Sequence, residues 1–373
     1  MEEPGEFPGD VIEGAGLKDY LIMSAFLLYG ATGFVGAEIA RLAVESGFEP
    51  ILAGRNAARL EKLAAELGVE CRVFDLLDTQ IIEGALGDIP IVLNCAGPFI
   101  HTAQPMVEAC LQTGTHYLDL TGEIPVFETL AARDEEARRR GIIVLPGAGF
   151  DVVPTDCLAL HLKGRLPSAT HLALAFQVEG PGGMPPGTQR TGFEVVVPYG
   201  TRVRRDGRLV RPKRSTKTRQ IDFGQGPVTA TLFPWCDVFT AYTSTGIPNI
   251  EDYSVISERM RKQMASLDSL PPLLRRVILR YMSKRGIRPG RTAEQRARTV
   301  THVWGEVEDD QGRKAVARLH GPESGVDWTG QAALAAVRKV LSGDAPPGFQ
   351  TPAKAYGADF VMACDWVTRQ DVE

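Results

Sequence analysis

Short apolar runs closed by glycine alternate with stretches of helical spacing through the first 145 residues of the chain. Ala25 to Tyr29 is the first such run and predicts a buried strand ending at Gly30. Ala37 to Ser46 places Ile39, Leu42 and Ala43 on one helical face and stops at Gly47. Pro50 to Ala53 predicts a second strand, and Ala57 to Leu67 a helix ended by Gly68, with Leu60, Leu63, Ala64 and Leu67 inward. The alternation continues through strands at Glu70–Phe74, Ile89–Asn94, Thr115–Leu118 and Ile142–Leu145. The intervening helices are Asp78–Leu86, Pro105–Thr113 and Val126–Arg140. Six strands interleaved with helices call for a parallel sheet covered on both faces by right-handed crossovers, the doubly wound Rossmann-type α/β architecture.

The texture changes after Gly149. Ala169–Val178, Val228–Phe233 and Asp237–Thr243 read as strands. Asp206-Gly207 inside Thr201–Val210 signals a hairpin, as do Asp309–Gly312 between Val300–Val307 and Lys314–His320. Helices are predicted over Asp252–Ala265 and Pro272–Lys284. A last one spans Asp327–Leu341, capped by Ser324 or Asp327. These elements describe a second, largely antiparallel α+β domain, which holds residues 154–344.

Bulk properties narrow the setting. A net charge of −5 argues against general nucleic-acid binding. The six cysteines stand singly, without the ligand spacing of a zinc site, and fit a reducing cytoplasm. No apolar run is long enough for a membrane-spanning helix. Residues 1–22 are acidic and rich in Gly and Pro, unlike a signal peptide, and read as a disordered leader, with Met23 as an alternative start.

The turn Gly30-Ala31-Thr32-Gly33-Phe34-Val35-Gly36 joins the first strand to the first helix. It is a preformed phosphate site: Gly30 for the tight turn, Gly33 for close approach of a pyrophosphate, Gly36 for helix packing. The second strand ends in Ala53-Gly54-Arg55-Asn56, where an NAD site would carry a carboxylate for the ribose 2′-hydroxyl. Arg55 is suited instead to a 2′-phosphate, and this predicts NADP(H) over NAD(H). Asp75 follows the third strand, within reach of an adenine. Cys95, Ala96, Gly97, Pro98 and Phe99 follow the fourth, where the nicotinamide half belongs.

The stretches NCAGPF (94–99), GTHYLDLTGE (114–123) and PGAGFDVVPTD (146–156), with GATGFVG and AGRN, resemble the saccharopine dehydrogenase-like oxidoreductases, which include trans-acting enoyl reductases. YTSTGIPNI (242–250) and PGFQTPAKAYG (347–357) resemble later parts of that family. The resemblance implies that about 345–373 return to the dinucleotide domain formed by 23–153. It also implies an NADP-dependent reductase with its nicotinamide in the interdomain cleft. The substrate would carry an activated C=C (enoyl) or C=N (imine) bond, as a small molecule or on an acyl carrier or CoA.

Candidate polar groups lie on loops beyond strand carboxyl ends. Tyr117 and Asp119 are the candidates for proton relay, and Thr121, Glu123 and Asp151 for contact with substrate. The competing readings are a core tyrosine at Tyr117, a surface ion pair for Glu123, and helix caps for Asp151 and Asp156. The tyrosine–lysine dyad of short-chain reductases is missing, since Tyr281 is followed at that spacing by Arg285. This keeps a second reading open, a non-catalytic NADP(H) sensor. Finally, residues 272–298 mix leucines with arginines and lysines. They present either a solvated face or a contact for a carrier protein or membrane surface.

Overall fold

The computed structural model describes residues 25–213, 216–268, 270–344 and 346–373. The leader and the alternative start at Met23 lie outside them. The first six strands are β1 Ala25–Tyr29, β2 Glu49–Gly54, β3 Cys71–Val73, β4 Ile91–Asn94, β5 His116–Asp119 and β6 Ile143–Leu145. They form one parallel sheet in the order β6-β5-β4-β1-β2-β3. The order reverses at β1 and β4, so their carboxyl ends flank the switch point where such sheets bind ligands. Apolar runs such as Phe26, Leu27 and Leu28 are fully buried because helices cover both faces. Their contiguity in sequence is what marks them as doubly covered.

The second domain carries β7 His171–Glu179, β8 Val203–Arg205, β9 Arg208–Val210, β10 Thr218–Asp222, β11 Pro227–Leu232, β12 Asn249–Ser254, β13 Val300–Glu308 and β14 Lys314–Gly321. All pairings between them are antiparallel except β12 with β7. Along β13, Val303, Gly305 and Val307 face the helix Val153–Arg165, and a Cβ on Gly305 would stand 2.6 Å from Leu162. Helix and sheet therefore pack at backbone distance. The Asp206-Gly207 hairpin forms as expected, with both residues at positive φ.

The closing segment divides. Strand β15, Gly348–Phe349, adds a seventh strand beside β6, whereas β16, Thr368–Val372, pairs with β14 in the second sheet. The sequence reading had placed all of about 345–373 with the first domain.

Four predicted elements fold differently. The one helix expected over Val126–Arg140 is two, Ile124–Ala131 and Asp134–Arg140. Asp237–Thr245 is a helix, closed by Gly246 at φ 69°, where a strand was expected. Asn249–Ser254 is a strand, and the helix predicted from Asp252 begins at Glu258. The last long helix, Thr329–Leu341, is entered through a π-helical turn whose cap is the Glu323 carboxylate, bonded to Val326 and Asp327 N–H.

Candidate functional site

The turn after β1 can be filled only by glycine at two points. Gly30 sits at φ +83°, and a Cβ there would lie 2.9 Å from Ala96 N. A Cβ on Gly36 would lie 2.4 Å from Gly30 O. The helix Phe34–Glu45 starts at Gly33 without a side-chain cap. Its positive end and first-turn N–H groups are thus left to a ligand. Below the turn lies a cavity of about 740 Å³, lined by Gly30, Thr32–Val35, Arg55, Asn56 and Cys95–Gly97. It shares Tyr29, Arg55, Gly97 and Arg190 with a second cavity of about 690 Å³ that reaches Asp75 and Pro98. Ala31 and Phe99 are buried behind these walls.

Arg55 is exposed to both cavities and has no hydrogen-bond or ion-pair partner among the described residues. Asn56 caps the next helix through Arg59 N at 3.0 Å, and the Arg59 guanidinium braces the glycine turn through Thr32 O at 2.9 Å. Asp75 accepts from Leu77 N at 3.1 Å. The uncapped helix, the glycine cradle and a free guanidinium together fit a dinucleotide bearing a 2′-phosphate.

The second domain closes over this wall. Pro186, Gly187 and Arg190 line the first cavity. Gly290 lies against Phe34, so closely that a Cβ would stand 2.6 Å from its ring. Beyond Arg190 the cleft continues into a further cavity of about 670 Å³, walled by His101, Phe193, Glu194, Leu279 and Ser283. Ser283 donates to Glu194, and His101 Nε2 lies 3.9 Å from the same carboxylate.

The polar residues after β4, β5 and β6 form a buried web. Tyr117 OH donates to Asp119 Oδ2 at 2.7 Å and receives Asn94 Nδ2 at 3.3 Å. Asp119 Oδ1 receives Thr121 N and Gly147 N, both at 2.9 Å. Both side chains are fully buried, and neither lines the three cavities. Burial pushes the Tyr117 hydroxyl well above its ordinary value and Asp119 up to about 6.

Glu123 holds Phe99 N and Ile100 N at 2.8 Å each, and Thr191 Oγ1 of the second domain at 3.1 Å. It is therefore not the surface ion pair considered from sequence. Burial raises its pKa. Thr121 is fully buried too, receiving Glu123 N at 3.1 Å. Asp151 differs: its carboxylate is half-buried and has no hydrogen-bond partner among the described residues. Burial, with the Glu123 charge beside it, pushes it up to about 7. Neither Asp151 nor Asp156 caps the following helix, whose N-cap is Val152; Asp156 instead binds Ser244 Oγ and Ala353 N.

His101, Arg190, Glu194 and Ser283 were not singled out from sequence. Arg190 and Glu194 lie in the Gly- and Pro-rich part of the second domain, which carries no periodic signal. Only the long-range closure of the two domains brings them to the cleft.

Fold and site together define a Rossmann-type dinucleotide-binding domain closed by a mixed-sheet domain. Residues 26–145 match the family described as the saccharopine dehydrogenase NADP binding domain. The match is confined to the dinucleotide domain, which is thereby an NADP-binding domain of the saccharopine dehydrogenase type, and its nucleotide is NADP(H). A trans-acting enoyl reductase of Mycobacterium leprae is 36% identical over 148 residues, covering 38% of this chain and 35% of that protein. The saccharopine dehydrogenase-like oxidoreductase of Mus musculus is 29% identical over 160 residues, covering 38% and 37%. The matched segments thus span little more than a third of these relatives. The apo saccharopine dehydrogenase (L-Glu forming) of Saccharomyces cerevisiae shares the fold of nearly the whole molecule. It has a TM-score of 0.62 at 13% identity, covering 94% of this chain and 100% of that one.

Arg190 has no hydrogen-bond or ion-pair partner among the described residues and faces the nucleotide wall from the opposite domain. Replacing it by alanine is expected to lower NADPH affinity about tenfold, the loss of one charge-assisted contact. Calorimetric titration measures this, and an unchanged affinity would place Arg190 outside the nucleotide site.

Proposed function

We propose that the protein is an NADPH-dependent reductase acting on an activated C=C or C=N bond of a small-molecule or carrier-bound substrate. The observation that carries this reading is the extension of the cleft past the nucleotide wall into the cavity lined by His101, Glu194 and Ser283. A sensor of NADP(H) has no use for such a space. When bound, the nucleotide supplies the hydride.

The chain's own residues place the acceptor and provide the proton. His101 is exposed to both cavities, and its Nε2 lies 3.9 Å from the Glu194 carboxylate, which places an imidazole able to give a proton at the cleft. It takes the role of proton donor that the sequence reading gave to Tyr117 or Asp119. Those two lie behind the wall, and we assign them to positioning. Through Asn94, Thr121 N and Gly147 N they fix the loops that carry the site. Of the residues expected to meet substrate, Thr121 and Glu123 are committed to holding loops. Asp151 retains an unpartnered carboxylate but lines none of the three cavities, so it too is set apart from the substrate.

Absorbance of NADPH in the presence of enoyl thioesters or cyclic imines tests the activity. Oxidation with one class supports it, and inertness across both, with NADPH bound, favours the sensor. His101→Gln is expected to lower turnover by about a hundredfold or more while NADPH affinity is kept. Equal turnover in the variant would remove His101 from the chemistry.

A further inference from the structure

The helix Pro272–Arg285 is apolar on two sides. Its inner side is satisfied: Leu279 is 2% exposed and Ser283 5%, both against the cleft. Its outer side is exposed. Leu273 is 81% exposed, Val277 66%, Tyr281 60% and Leu274 48%. With 3.6 residues per turn, Leu274, Val277 and Tyr281 fall within about 60° of one another, a single outward stripe. Surface leucines and valines scattered singly need no partner, but a stripe on one helix face does.

Charge identifies the partner. Between Asp268 and Glu294 there is no acidic residue, while Arg275, Arg276, Arg280, Lys284, Arg285, Arg288 and Arg291 all fall there, in a chain of net charge −5. Arg291 is spent on a buried pair with Glu323. Arg280 and Lys284 are exposed on the flank of the stripe. A convex helix with an aliphatic and aromatic crest and cationic flanks matches an interfacial helix, whose crest enters the acyl boundary while its cations meet lipid phosphates. An acidic protein would satisfy the cations, but a single convex helix offers no groove for its side chains.

We propose that the outer face of Pro272–Arg285 docks the protein on an anionic membrane surface. The mouth of the cleft then opens at that surface, because Leu279, Ser283 and Lys284 of the same helix line its outermost cavity. An apolar acceptor would reach the cleft from the bilayer without crossing water. The docking itself does not depend on which bond is reduced, or on whether any is.

Flotation of the full chain with vesicles tests this. Vesicles of equal parts phosphatidylcholine and phosphatidylglycerol are expected to carry the protein at low salt, and pure phosphatidylcholine vesicles are not. Leu274→Glu with Val277→Glu is expected to lower partitioning about a hundredfold, with NADPH binding retained as proof of folding. Leu273→Glu, at the most exposed position, serves as the gentler second variant. The proposal is overturned by absence of binding to the mixed vesicles, by equal binding to both compositions, or by variants that bind as the parent does. Capture of an acidic carrier protein without vesicle binding overturns it in favour of a protein partner.

Discussion

Arg55→Asp is expected to weaken NADPH by about a hundredfold or more and to leave NADH within a few-fold of its starting affinity. The guanidinium stands free at the end of β2, in the wall shared by both nucleotide cavities. A forked, charge-assisted contact with a phosphate contributes about 1.5–3 kcal/mol. The aspartate removes that contact and adds repulsion of the 2′-phosphate. The same carboxylate can receive the free ribose hydroxyls of NADH. Titration of both nucleotides against both proteins measures the ratio. A parallel loss of NADPH and NADH would show that Arg55 supports the fold of the wall and does not read the phosphate.

The second large effect concerns pH. Asp237 and Asp252 are buried beside each other within the second domain, and Asp237 Oδ2 and Asp252 Oδ1 have no hydrogen-bond partner among the described residues. Their other oxygens receive Thr155 Oγ1 at 2.8 Å, Thr240 Oγ1 at 3.1 Å and Val238 N at 3.0 Å. The charges that act on them, Asp156 and Glu251, are acidic as well. Burial first, and the Asp252 charge second, push Asp237 well above the carboxylate range, and burial, with a smaller push from Glu251, takes Asp252 up to about 8. In the unfolded chain both ionise near pH 4.

The folded protein therefore holds more protons than the unfolded one between about pH 4 and 8, and stability falls as pH rises through that window. Each retained proton costs about 1.4 kcal/mol per pH unit across it. Thermal unfolding by circular dichroism is expected to show Tm lower at pH 9 than at pH 6 by on the order of 5 °C or more. Asp252→Asn, which keeps the Val238 N–H bond without the charge, should flatten the slope. A Tm that rises or stays level with pH would refute the account.

The dinucleotide domain was legible because its physics is local. Buried parallel strands read as unbroken apolar runs, and left-handed glycines such as Gly68, Gly114 and Gly141 close the helices where the chain must turn. Asp237–Thr245 was misread for a related reason. Its β-branched and aromatic residues favour a strand locally, yet Val238 and Ala241 bury one helical face against the rest of the domain. Tertiary packing overrode propensity there.

Within the site, the glycine turn and the position of Arg55 at the end of β2 were visible because both depend on neighbours in sequence. Tyr117 and Asp119 looked like chemistry because they end a strand at the ligand edge. Their burial shows that the edge itself needs internal bracing. His101 and Arg190 acquire meaning only once two distant segments meet across the cleft.

Glu123 links both sides of that meeting. One carboxylate holds two amides of the nicotinamide-side loop and a hydroxyl of the opposite domain. To swing the segment bearing Thr191 outward is to hydrate a carboxylate that the closed form keeps dry. The bond thus acts as a latch: the floor of the nucleotide bed and its roof are fastened to the same atom. Release of a bound nucleotide through that side would have to break it.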